Sequence, residues 1–99
     1  MGEYLNGQGY TCLGIRLNGH ATNPEDMRRS HWTDWTASVE DGIQLLSGSV
    51  DRIFLVGLSM GGVLSLLMSA RLAQRVAGVV AMSTPYQLPD DYPVWVLKL

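Results

Sequence analysis

The sequence predicts an α/β fold, on three observations. Short apolar runs alternate with segments of helical period, the two most apolar runs carry no alternation of polar residues, and no internal repeat or low-complexity linker interrupts the order. Strands alternating with helices imply a parallel sheet with helices on both faces, and uninterrupted apolar runs are the mark of strands covered on both sides. The expected order is α-β-α-β-α-β, about three strands in one domain spanning residues 1–99.

Taken in order, Glu3 to Gln8 reads as the end of a helix, stopped by Asn6-Gly7 and Gly9. Tyr10 to Leu17 is a mostly apolar run of β-type residues, expected to form a buried strand, with Cys12 as a small buried apolar residue inside it. Loop residues Asn18 to Pro24 follow. Thr22 and Glu25, with Pro24 between them, predict a capping box that opens a short helix through Arg29. From Trp32 to Leu46 the apolar residues Trp32, Trp35, Val39, Ile43 and Leu46 recur at steps of three and four, one stripe of an amphipathic helix. Gly48 marks its stop near Ser47. Arg52 to Leu58 is a second strand, Met60 to Arg75 a helix apolar nearly all round and so deeply buried, and Val76 to Met82 a third strand. Tyr86 to Leu99 starts proline-rich and ends apolar.

Composition narrows the function classes. With 46% hydrophobic and 16% charged residues over 99 positions, the chain is not a disordered one. Seven Lys and Arg face nine Asp and Glu, so no basic excess is present to neutralise phosphates, and no nucleic-acid partner is expected. The single Cys12 leaves no intramolecular disulfide and no Cys-rich zinc site, no ligand-type residues show metal spacing, and neither metal nor cofactor is expected. No apolar run approaches the roughly 20 residues of a membrane span, and no secretory leader is visible. The expectation is a reducing, cytoplasmic setting.

The most informative stretch is Gly57-Leu58-Ser59-Met60-Gly61, a G-x-S-x-G pattern. An apolar strand runs straight into Gly57 and a helix begins just after Ser59, so the serine is expected on a sharp, strained strand-to-helix turn. Gly57 and Gly61 are expected to be glycines because side chains there would meet neighbouring backbone. The helix N-terminus favours negative charge beside Ser59, and the Met60 N–H would face the oxyanion of an acyl-transfer intermediate. The plainer alternative for Ser59 is an ordinary helix cap. His20 is read as a loop histidine bracing its turn by a hydrogen bond, His31 as a surface residue, Arg28-Arg29 as a solvated pair, and the tryptophan stripe as core.

With these residues in view, the chain resembles the α/β-hydrolases, in their carboxylesterase and monoacylglycerol-lipase branch. Phe54 to Gly62 looks like the nucleophile elbow. Leu17-Asn18-Gly19-His20-Ala21 resembles the L-x-G-H-G turn after the family's fourth strand, departing at Ala21. Trp32-Thr33-Asp34-Trp35 and Met82-Ser83-Thr84-Pro85 are similar to the branch as well. The resemblance implies a serine hydrolase of carboxylic esters, with Ser59 as nucleophile, the Met60 N–H in the oxyanion hole, and a small-molecule acyl ester as substrate. It also implies an aspartate and a histidine after the serine, whereas both histidines here, His20 and His31, precede it. Asp90 and Asp91 would fall in the connection to a cap begun by Leu88 to Leu99, short of the acid's strand.

The resemblance further implies a strand order of 1-2-4-3-5-6 in which the family's third strand, with its oxyanion-loop His-Gly, would precede Met1. A slot of roughly 9–10 Å would then open between the first and second strands of this chain. The chain is therefore expected to be an incomplete and inactive part of such an enzyme, molten or aggregated when alone. Two rivals stand beside it: a non-catalytic remnant completed by a partner, and a small-ligand module using the tryptophan face.

Overall fold

The computed structural model of the chain describes residues 1–84. Its elements are α1 (Gly2–Gly7), α2 (Pro24–Arg29), α3 (Trp32–Ser47), β1 (Phe54–Leu58), α4 (Met60–Arg71) and β2 (Gly78–Met82). The expectations for Tyr86 to Leu99 lie outside the described residues.

The α/β class holds. β1 and β2 pair in parallel, with Phe54 opposite Gly78 and Leu58 opposite Met82, and α4 is the crossover that joins them. The core forms where α3 and α4 meet the sheet, from Val39, Ile43, Ile53, Leu55, Met68 and Val76. Ile43 and Met68 are the most completely enclosed, at 1% and 2% exposure. This is the stripe predicted for α3, with two qualifications. Leu46 is only partly buried against the core. Trp32 lies on the surface, its ring 5.6 Å from the Arg71 guanidinium in a cation–π contact that ties the start of α3 to the end of α4.

The strand expected over Tyr10 to Leu17 does not form, so the described sheet has two strands rather than about three. An extended run becomes a strand only when a neighbour accepts and donates its backbone hydrogen bonds, and among the described residues none ladders with this one. The segment instead leans on α3. A Cβ placed on Gly42 would lie 2.6 Å from Ile15 Cδ1 and 3.5 Å from Leu13 Cδ2, so that glycine makes room for the run. Leu17 packs against the core edge, and the Asn18 N–H donates to Ser38 Oγ at 3.1 Å. The rest is exposed, Cys12 included, which corrects its expected burial.

Strand coverage differs from expectation too. Leu55 and Gly57 are buried under the helices, whereas Phe54, Val56 and Leu58 on the opposite face are 56%, 44% and 63% exposed. Val80, in register with Val56, is exposed on that same face. The apolar pattern marks both faces for burial, and the described residues cover one. Val63 and Leu66 of α4 are exposed too, so the helix is not buried all round.

Boundaries moved where local chemistry decided them. Asn23, not Thr22, caps α2: its side-chain oxygen accepts from Asp26 N–H at 3.0 Å, while the Thr22 hydroxyl donates back to the Gly19 carbonyl. Helix α4 ends at Arg71 rather than Arg75, because the Arg75 and Val76 N–H groups both return to the Leu72 carbonyl and turn the chain toward β2.

Candidate active site

The site is built on the junction between β1 and α4. Ser59 occupies that junction with φ 55° and ψ −117°, a conformation that an L-residue rarely holds and that costs of order 1–3 kcal/mol. Its side chain makes no capping hydrogen bond and the residue is exposed. An N-cap serine has extended backbone and turns its hydroxyl onto the helix amides; Ser59 does neither, so it is no ordinary cap.

The strain is held by its surroundings. The Ser59 N–H donates to the Met82 carbonyl at 2.8 Å, one rung beyond the last strand pair. The Ser59 carbonyl accepts from Gly62 N–H at 2.9 Å and Val63 N–H at 3.2 Å, starting α4. Met60 N–H stands at the first helical position, where no intrahelical carbonyl can reach it. Unpaired amides and the helix dipole make this end of α4 attractive to negative charge.

The glycines divide differently from expectation. A Cβ on Gly57 would run into the Gly61 carbonyl and the Gly62 nitrogen, so α4 crosses directly over Gly57. A Cβ on Gly61 would meet nothing within 4 Å, which corrects its expected steric role. The second constrained glycine is Gly62, whose Cβ would fall on the Thr84 side chain. The G-x-S-x-G pattern drew attention to Gly61; the neighbouring Gly62 was the signal for the close approach.

The other candidates take structural places. His20 Nδ1–H donates to the Asn18 carbonyl at 3.2 Å, and its ring meets Trp35 edge-on with centroids 5.4 Å apart. The Trp35 indole N–H shares the same Asn18 carbonyl at 3.0 Å. His20 thus braces its turn as expected. His31 is exposed at the start of α3, its N–H donating to the Asp34 carboxylate at 2.8 Å. Arg28 pairs with Glu25 at the surface. Ala21 has φ 55°, which explains why a glycine suits that turn. Asp90 and Asp91 lie outside the described residues. Among the described residues no cluster of ligating side chains could hold a metal ion, and no helix is long and apolar enough to cross a membrane.

The model of the family described as serine aminopeptidase, S33, matches residues 1–99. The chain belongs to that family. A thermostable monoacylglycerol lipase of Bacillus sp. (strain H-257) is 41% identical over 81 residues, covering 82% of this chain and 32% of the lipase. A carboxylesterase of Bacillus subtilis (strain 168) is 35% identical over 92 residues, covering 92% of this chain and 37% of the esterase. Among solved structures, one from a pair of metagenome-derived lipolytic enzymes superposes with a TM-score of 0.85 at 32% identity. That match covers 90% of this chain and 36% of the other. This S33 chain therefore has the α/β-hydrolase fold, and it spans about a third of the length of the curated relatives it matches.

Proposed function

We propose that the chain supplies the nucleophile elbow of a carboxylic ester hydrolase, with Ser59 as the nucleophile and the Met60 N–H as one oxyanion donor. The observation that carries this reading is the strained, exposed, uncapped Ser59 between β1 and α4. The esterase and lipase identities of its relatives favour carboxylic esters over other acyl groups.

In the proposed reaction Ser59 Oγ attacks the ester carbonyl while its proton passes to a histidine base. The carbonyl oxygen becomes an oxyanion held by Met60 N–H and a second donor. Collapse breaks the bond to the alcohol, which takes the proton from the imidazolium, and water then releases the acid from Ser59 by the same route. His20 braces its turn through Nδ1, and His31 stands at the N-cap of α3 with its backbone N–H on the Asp34 carboxylate. Both histidines precede Ser59, whereas the resemblance implies an acid and a base after it, so we assign the base, its orienting aspartate and the second donor to polypeptide beyond these 99 residues and expect the chain alone to be inactive.

The test is a graft: residues 1–99 replacing the matching segment of the Bacillus sp. lipase, assayed on p-nitrophenyl esters. The graft is expected to hydrolyse them and the Ser59→Ala graft to lose at least about 10³-fold in kcat. A folded but inactive graft would favour the non-catalytic reading, in which the unladdered Tyr10 to Leu17 run awaits a partner's strand.

A further inference from the structure

The elbow is held from the β2 side by a residue with no assigned role. Met82 ends β2, and its carbonyl accepts the Ser59 N–H at 2.8 Å. The same carbonyl accepts the Thr84 hydroxyl at 3.2 Å, so both of its lone pairs are used. The half-buried Thr84 side chain also fills the notch left by Gly62, where any Cβ would collide with it. Gly62 lies in the first turn of α4, the turn that begins with Met60. Between Met82 and Thr84 the chain is bent by Ser83 at φ 47°, and Ser83 stands beside Ser59, at φ 55°, one step past the last strand pair. The Ser59 N–H and the Thr84 hydroxyl thus share the Met82 carbonyl, and Thr84 links that anchor to α4.

We propose that Thr84 is a positioning residue for Ser59. By fixing the Met82 carbonyl and wedging against Gly62, it sets where the Ser59 Oγ and the Met60 N–H stand relative to each other. It touches neither substrate nor reacting atoms. This role rests on the reading of Ser59 as nucleophile. Small displacements of a nucleophile from its oxyanion donor slow the chemical step without weakening substrate binding.

The experiment uses the graft carrying all 99 residues and compares kcat, KM and thermal melting. Thr84→Val keeps the shape and removes the hydroxyl; its kcat is expected to fall about tenfold with KM within about twofold. Thr84→Ser is expected to recover kcat to within about threefold of the parent graft. Gly62→Ala should lower kcat as Thr84→Val does, because its methyl displaces the Thr84 side chain. Equal kcat for the parent and Thr84→Val overturns the proposal, as does a loss confined to melting temperature or KM. Should Thr84→Val fail to fold, an unchanged kcat in Gly62→Ala overturns it instead. The two readings fail distinguishably. Activity that survives Ser59→Ala, or a folded parent graft without activity, removes the nucleophile and Thr84's role with it. A graft active through Ser59 but indifferent to Thr84 removes Thr84's role alone.

Discussion

Two apolar, β-type runs in this chain meet different fates. Phe54–Leu58 is a strand, laddered to Gly78–Met82 and covered on one face by α3 and α4. Tyr10 to Leu17 is similar in composition yet stays unladdered, leaning on α3 through Leu13, Ile15 and Leu17. The difference lies in partners. β1 has a parallel neighbour delivered by the short crossover α4, while no strand among the described residues sits beside Tyr10 to Leu17. Apolar character says that a run should be buried, and only a neighbour makes it a strand. The half of the molecule that carries Ser59 is the half whose ladder is closed within the chain.

The sharpest way to break this contrast is to strike the closed half at Gly57. Gly57→Ala forces a Cβ into the Gly61 backbone, and neither strand nor helix can yield without parting. The expected loss is about 3 kcal/mol of stability by urea titration of the lipase graft. Gly61→Ala, with nothing within 4 Å, should instead be neutral or stabilise α4 by up to about 1 kcal/mol. Similar losses at both glycines would mean that α4 does not cross β1 as described.

A smaller effect sharpens the comparison from the open half. Ala21 follows the Tyr10 to Leu17 run and holds φ 55°. Ala21→Gly removes the penalty of the left-handed conformation and should stabilise that turn by about 1 kcal/mol. Hydrogen exchange in the lipase graft is expected to slow at Asn18 to Asn23, with little change in Phe54–Leu58. Equal slowing in both regions would show that the two halves fold as one cooperative unit.

Much of this was legible in the residues. The α3 stripe, the strand-helix-strand order from Arg52 to Met82 and the elbow at Ser59 follow from local periodicity and from glycine placement. Three features were not legible, each because it depends on contacts distant in sequence. Whether Tyr10 to Leu17 ladders depends on a neighbour that its own residues do not specify. That Gly62 rather than Gly61 is sterically constrained depends on Thr84, more than twenty residues away. That the second face of β1 stays open depends on what else covers it. Within the candidate site, the proposed roles of Ser59 and Met60 could be read from the sequence because they fall on consecutive residues of one short pattern. The Met82 carbonyl was missed because a backbone acceptor leaves no signature in sequence.

We propose that Ser59 becomes a nucleophile when the elbow of this S33 chain is joined to a base and an acid from outside these residues. The most direct test is intact-mass and peptide analysis after treating the free chain and the lipase graft with a fluorophosphonate. One adduct per graft is expected, located on Ser59 and absent from Ser59→Ala, with the free chain unmodified. An adduct on another serine, a folded graft that stays unlabelled, or stoichiometric labelling of the free chain would contradict it.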